Sequence, residues 1–291
     1  MAVGEPSRVV TVNPSAAPYV SSDAGVLTSV LVMLPSDAVD RLPPIKGEPS
    51  PIADRAREQH AVFVRTLRDH GVVVHEMLPS SESPAESLVA DCAIVLRQGA
   101  VIARPSQLER RPDVAAIERR ITELGIPIAG RIEAPGLLDA TDVAVGTDTL
   151  FVGVPRHSTD LRRRSNELGR KQLEVIATQR GYRIVELPVA SDVQRLRDVF
   201  SIVGGDIAIA APERVDLVAT SGLRIVEVPR GEELAAGVLA LGERQVIANL
   251  RFRESVALMR KAKIAVEAID LWEFGKAGFG PFSLALAVKR G

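Results

Sequence analysis

Two aspartates three residues apart, Asp139 and Asp142, stand just before the apolar run Val143–Val145. A pair of acids at a strand mouth either forms a turn or contributes to a polar site, and spacing alone favours the turn. Another acid, Asp91, adjoins the only cysteine, Cys92, in Val89-Ala90-Asp91-Cys92-Ala93. A thiol becomes a useful nucleophile when its surroundings lower its ordinary pKa of about 8.5. If 88–96 is a strand, Asp91 and Cys92 face opposite sides, and a cysteine among Val89, Ala93 and Ile94 reads as a small buried hydrophobe. His60, His70, His75 and His157 are scattered and have no zinc-ligand spacing, so no metal site is expected. Arg162-Arg163-Arg164 reads as a solvated helix start. Gly204-Gly205-Asp206 is a turn and not a phosphate loop, because no Lys-Ser/Thr at a helix start follows it.

The elements that must carry these residues belong to an ordinary water-soluble chain. Of 291 residues, 46% are hydrophobic, 25% charged and 3% aromatic, with a net charge of −1. That balance offers no electrostatic footprint for nucleic acid or an anionic membrane, and too few aromatics for base stacking. No apolar run approaches the roughly 20 residues of a membrane span, and no basic start leads into an apolar stretch. One cysteine rules out an intrachain disulfide and is compatible with a cytoplasmic location. Residues 1–24, rich in Ser, Pro and Ala, read as a flexible arm before a single domain over 25–291, as monomer or homodimer.

Periodicity predicts alternating strands and helices. Leu27–Leu34 and Val72–Leu78 read as strands around a helix at Ala53–His70, with Ala56, His60, Phe63 and Leu67 on one face and Gly71 as its stop. Leu88–Leu96 and Ala100–Ala103 read as strands, followed by a helix at Arg111–Glu123 and a weak strand at Ile126–Ala134. Val143–Val145 and Leu150–Val154 flank Gly146-Thr147-Asp148-Thr149 as a hairpin, and a helix is expected at Glu167–Arg180. Hairpins are also expected at Val199–Ala210 and Leu239–Ala248, strands at Arg183–Leu187, Leu223–Val228, Ile264–Ile269 and Leu284–Val288, and a helix at Arg253–Lys263. Four segments share one pattern: Val74–Pro79, Ile184–Pro188, Ile225–Pro229 and, more loosely, Ala265–Asp270. Hairpin, helix and strand thus recur about every fifty residues, and a β/α ring of about five units fits the length; plain α/β alternation is the alternative.

Leu138-Asp139-Ala140-Thr141-Asp142-Val143, Leu150-Phe151-Val152-Gly153 and Arg164-Ser165-Asn166-Glu167-Leu168-Gly169 resemble the dimethylarginine dimethylaminohydrolase (dimethylargininase) family of the pentein, or guanidino-group-modifying, superfamily. The resemblance extends over about residues 26–288. It implies an α/β, five-bladed β/α propeller and hydrolysis of a substituted guanidine to citrulline and an amine, by a cysteine and a histidine, with no metal or other cofactor. Carried over residue by residue, it implies that Asp139 is the acid that orients the histidine. Asp91 becomes a guanidinium-binding acid, and Arg110 and Arg164 become arginines for the substrate carboxylate, with His157 a rival for the latter position.

The departures concern the reacting groups. The acid expected before Asp91 is Ala90, and another upstream is Ala85, with Glu86 beside it. The family's histidine aligns with Arg195, and its nucleophile with Ser283 or, on a one-residue shift, Phe282. A guanidinium has no acceptor lone pair and does not deprotonate, so Arg195 is no general base. Loss of nucleophile and base together predicts a family member that is not an active methylarginine hydrolase and binds a small guanidino or amino-acid ligand. The alternatives are an active amidine hydrolase or amidinotransferase with a non-standard site, and a structural interaction protein. A bidentate pair between Asp139 and Arg195 is expected to narrow the pocket.

Overall fold

A computed structural model describes residues 18–79, 83–157 and 164–291. The first half runs β1 (Leu27–Met33), α1 (Ala53–Asp69), β2 (Val73–Met77), β3 (Ala93–Leu96), β4 (Gly99–Ile102), α2 (Arg111–Glu123) and β5 (Ile128–Arg131). Next come β6 (Val143–Val145), β7 (Thr149–Pro155), α3 (Glu167–Thr178), β8 (Arg183–Val189), β9 (Phe200–Gly204), β10 (Ile207–Ala210) and β11 (Arg224–Glu227). The chain ends with β12 (Leu239–Gly242), β13 (Gln245–Asn249), α4 (Arg253–Lys261), β14 (Ala265–Ile269), α5 (Trp272–Gly275) and β15 (Leu286–Arg290).

These strands form three-stranded sheets of one internal design. The orders are β15-β1-β2, β3-β4-β5, β6-β7-β8, β9-β10-β11 and β12-β13-β14. In each, the first strand pairs antiparallel with the middle one, and the middle one parallel with the third. A parallel pair needs a crossover, and α1, α2, α3 and α4 supply it in four sheets. The sheet of β9, β10 and β11 crosses over through loop and a short 3-10 turn at Val218–Thr220, a departure from the expected helix in every unit. The four sequence segments with a shared pattern are the third strands β2, β8, β11 and β14.

Apolar clusters tie the sheets together. Leu31 and Met33 of β1 pack with Ala93 and Val95 of β3, while Ile94 and Leu96 pack with Val143 and Val145 of β6. Phe151 of β7 joins Phe200 of β9 and Ala240 of β12, and Ile247 of β13 joins Val30 and Val32 of β1. The clusters are almost wholly Val, Ile, Leu, Ala and Phe, as a chain with 3% aromatics requires.

A 3-10 turn precedes the first strand of each sheet, at Val89–Asp91, Ala140–Asp142, Leu196–Asp198, Glu233–Ala236 and Pro281–Leu284. These turns correct the expected strands at Leu88–Leu96 and Leu284–Val288, whose extended parts begin at Ala93 and Leu286. They also correct the placement of Asp91 and Cys92 on opposite faces: a 3-10 turn has no period of two, and both residues contact the same arginine, Arg110. The turn at Val89–Asp91 packs against those at Ala140–Asp142 and Pro281–Leu284. Contacts continue from Ala140–Asp142 to Leu196–Asp198 and on to Glu233–Ala236.

Residues 18–24, part of the expected arm, are among the described residues and are held against the domain. The Tyr19 and Val20 amides donate to the Arg97 and Leu96 carbonyls, and Val20 is buried. Residues 1–17 lie outside the described part, as do 80–82 and 158–163, which include Arg162 and Arg163.

Helix α1 buries the expected face, His60 included; that ring lies fully buried beside Phe63 and Phe274, with neither ring nitrogen hydrogen-bonded. Burial pushes its pKa down to about 4. Between that value and the ordinary 6.5 the unfolded chain holds the extra proton, so stability is lost as pH falls through this window. Expected: His60→Leu melts higher than the parent at neutral pH, and the gap widens by on the order of 3 kcal/mol toward pH 4. Thermal melts across that range check it; parallel curves would show that His60 carries no such penalty.

Candidate functional site

The motif Arg164–Gly169 acts as a clamp on the segment that holds Asp139. Asn166 caps α3: its Oδ1 accepts from the Gly169 amide at 2.8 Å and from the Leu137 amide at 2.8 Å. The Asp139 amide donates to Ser165 Oγ at 3.1 Å, and that hydroxyl donates to Asp142 Oδ2 at 2.5 Å. The other Asp142 oxygen accepts from the Leu196 amide at 3.0 Å, which locks the neighbouring turn. Gly169 permits the close packing: a Cβ there would lie 2.0 Å from the Leu137 carbonyl oxygen.

The 3-10 turns at Val89–Asp91, Ala140–Asp142 and Leu196–Asp198 each end on a buried aspartate. Asp198 was not among the expected site residues. Its signal was an aspartate directly before the hydrophobic start of a hairpin, repeated at Asp91, Asp142 and Asp198.

The two guanidiniums buried among these aspartates, those of Arg110 and Arg195, each meet a carboxylate. Arg110 donates from Nε to Asp113 Oδ2 at 2.9 Å and from Nη1 to Asp91 Oδ2 at 2.9 Å. Its Nη2 donates to the Leu88 carbonyl at 3.0 Å and approaches Cys92 Sγ at 3.6 Å. Arg110 is therefore committed within the protein and buried, not held open for a ligand carboxylate. Asp91 also accepts from Thr141 Oγ1 at 2.5 Å. Burial opposes the Asp91 charge, but Arg110, Arg195 and Arg164 prevail, with the Thr141 hydroxyl, and hold its carboxyl below the usual range.

Arg195 does not pair with Asp139, contrary to expectation. Its Nε donates to both Asp198 oxygens, at 3.1 and 3.0 Å, and its Nη2 to the Gly278 carbonyl at 3.1 Å. Its guanidinium lies 4.2 Å from the centre of the Phe279 ring. The reason is local: Asp198 sits three residues on, across the same 3-10 turn. Burial disfavours the Arg195 charge, yet Asp198, Asp91 and Asp139 outweigh it and raise its pKa. Burial likewise pushes Asp198 up to about 6, against the pull of Arg195.

Asp139 is left with a buried carboxylate and no hydrogen bond to either oxygen. Arg164 Nη1 stands 3.6 Å from its Oδ2, an ion pair without hydrogen-bond geometry. Burial and the neighbouring Asp91 charge push Asp139 up to about 7, against Arg164. Arg164 is partly exposed and His157 is exposed. Ser283 is fully buried, and its Oγ has no hydrogen-bond partner. The turn that carries it packs on the turn of Asp91, while the neighbouring Phe282 ring stacks 4.6 Å beneath Arg197. Burial pushes the Cys92 thiol up to about 12, so it is no thiolate at neutral pH. Among the described residues no group of three His, Cys, Asp or Glu side chains is placed to hold a metal, and no helix is long and apolar enough to cross a membrane.

Among the described residues the cluster thus contains two carboxyls that burial raises toward neutrality, Asp139 to about 7 and Asp198 to about 6, with a partly open arginine beside Asp139 and two buried arginines. It holds no imidazole or low-pKa thiol among the described residues.

No family model matches the chain. It is 29% identical over 221 residues to the N(G),N(G)-dimethylarginine dimethylaminohydrolase of Streptomyces coelicolor, covering 76% of this chain and 81% of that one. It is 26% identical over 224 residues to the enzyme of that name from Pseudomonas aeruginosa, covering 74% and 83% respectively. A solved structure of the Pseudomonas aeruginosa protein complexed with citrulline superposes with a TM-score of 0.78 at 22% identity, over 90% of this chain and 99% of that chain.

Two outcomes are expected. Folded Asp139 holds its proton to about pH 7 and the unfolded residue only to 3.8, so this group weakens the fold progressively as pH rises between those values. Asp139→Asn is expected to raise stability above pH 7 by a few kcal/mol, about 1–4, with little change at pH 4; melts at both pH values check it. Gly169→Ala is expected to cost at least about 2 kcal/mol, read by chemical denaturation, because backbone carbonyl and helix must separate.

Proposed function

On the premise that this chain belongs to the dimethylarginine dimethylaminohydrolase family of the pentein superfamily, we propose that it is a non-hydrolytic member whose central acids are answered by its own guanidiniums. The observation that carries the reading is the buried Arg195 guanidinium, bonded to Asp198 and Gly278 and stacked on Phe279. On the family resemblance it takes the position of the histidine, and a guanidinium can neither accept nor deliver a proton at neutral pH. Without a base beside it, the Ser283 hydroxyl remains a weak nucleophile.

The scaffold proposed is a ring. Sheets of one design whose clusters connect first to second, second to third and onward, and last back to first, support closure into a five-bladed propeller with fivefold pseudo-symmetry. Residues 18–291 form its single domain.

The ligand proposed is a small amino acid with a guanidino or ureido group, of the kind that citrulline represents in the related structure. Arg164, partly exposed, is the group for its carboxylate, and Asp139, with both oxygens free of hydrogen bonds, for its cationic or N–H end. Asp91 and Arg110, which bind each other, have no part in this proposal.

A second reading has one observation in its favour. Ser283 Oγ and both Asp139 oxygens lack partners, and Asp139 titrates near neutrality. A serine-based amidine hydrolase would need Asp139 to reach the Ser283 hydroxyl as its base.

The test combines product analysis with ligand binding. Purified protein incubated with arginine or methylarginines is expected to release less than one citrulline per chain. Citrulline and arginine are expected to raise the melting temperature, agmatine, which lacks the carboxylate, is not, and Arg164→Ala is expected to lose the shift. Multiple-turnover citrulline release, abolished in Ser283→Ala, would falsify the non-hydrolytic reading. No shift with any of these compounds would favour a structural interaction protein instead.

A further inference from the structure

A second set of buried arginines forms no ion pair with the acids described above. Arg197 and Arg290, both almost inaccessible, line a cavity of about 60 Å³ together with Asp23, Thr141, Val145 and Phe282. Such a volume admits several waters or one small ion.

The charges there do not balance. Arg197 Nη1 donates to Asp23 Oδ2, which also accepts from the Val145 amide at 2.8 Å. Phe282 covers one face of the Arg197 guanidinium at 4.6 Å. Among the described residues the hydrogen-bond partner of Arg290 is neutral, the Gly25 carbonyl, 2.9 Å from its Nη1. The Nε atoms of both arginines are buried without a hydrogen bond. Among the described residues the ionised groups that act on Arg290 are Asp23, which attracts, and Arg197, which repels. Two guanidiniums therefore face one carboxylate.

A buried, uncompensated charge is costly, and a guanidinium does not shed its proton at neutral pH. Burial brings Arg290 down to about 10, which still leaves it charged. We propose that this cavity is a binding site for a small monovalent anion of halide size, held between Arg197 and Arg290. Such an ion brings the group to neutrality and gives the guanidinium edges an acceptor. The apolar remainder of the lining, Val145 and Phe282 among it, strengthens the attraction by excluding water. The size of the cavity excludes organic anions such as gluconate.

Halide titration of the full chain tests the site. The melting temperature is followed at constant ionic strength as sodium chloride, or sodium bromide, replaces sodium gluconate. A saturable rise is expected, on the order of 5 °C at 100 times the half-saturating halide concentration. Arg290→Met is expected to lose the rise and to melt in gluconate no lower than the parent, since its unpaired charge is gone. Should that variant not fold, crystals of the parent soaked in bromide decide, through an anomalous peak in the cavity between Arg197 and Arg290. Coincident halide and gluconate curves for the parent, or a cavity without bromide, would overturn the proposal and leave water as the occupant.

Discussion

The interior of this protein is governed by the need to neutralise buried aspartates. Asp91, Asp113, Asp139, Asp142 and Asp198 are all withdrawn from solvent. Each carboxylate taken from water loses several kcal/mol of hydration unless a cation or strong donors replace it. Arg110 answers Asp91 and Asp113, and Arg195 answers Asp198. Asp142 is met by the Ser165 hydroxyl and the Leu196 amide. Asp139 receives the least, a distant ion pair with Arg164, and its raised proton affinity is the physical consequence.

That requirement explains the geometry of the turns. An aspartate at the end of a 3-10 turn points into the region where neighbouring turns meet, so adjacent sheets share one charge network. Thr141 of one turn donates to Asp91 of another, and the Leu196 amide of a third donates to Asp142. A sheet that shifted against its neighbours would strand at least one charge. The hydrophobic clusters hold the sheets together without direction, whereas these polar links fix their relative register.

The same network bears on function. A site that processes guanidines must present unpaired carboxylates to the substrate and a group that moves protons. Here the carboxylates facing Arg110 and Arg195 already hold a guanidinium, supplied by the chain itself. Asp139 alone keeps both oxygens free of hydrogen bonds, and Arg164 beside it is the one partly open arginine of the cluster. That pair stands at the end of a segment fixed by Ser165, Asn166 and Gly169.

Local structure was legible in the residues because its causes are local. Alternation and turn residues located the hairpins expected at Val143–Val154 and Val199–Ala210, and Gly71 marked a helix end where the backbone takes positive φ. The third strands β2, β8, β11 and β14 were readable as a repeat because each faces the same surroundings. So was the inability of Arg195 to act as a base, which follows from its functional group in any fold. The 3-10 turns were missed because their residues, such as Val89 and Ala90 or Phe282 and Leu284, run on without a turn signal into the apolar strands that follow.

What only tertiary structure decided was which charge meets which. Arg195 chose Asp198, three residues away across a turn, over Asp139, and Arg197 meets Asp23, 174 residues distant. The expected loose arm to residue 24 delivers that Asp23 into the interior. Such pairings depend on side-chain positions set by several sheets at once, and Coulomb energies in a poorly hydrated interior change steeply over an ångström. Periodicity encodes the face of a strand or helix; it does not encode the distance between side chains that different sheets bring together.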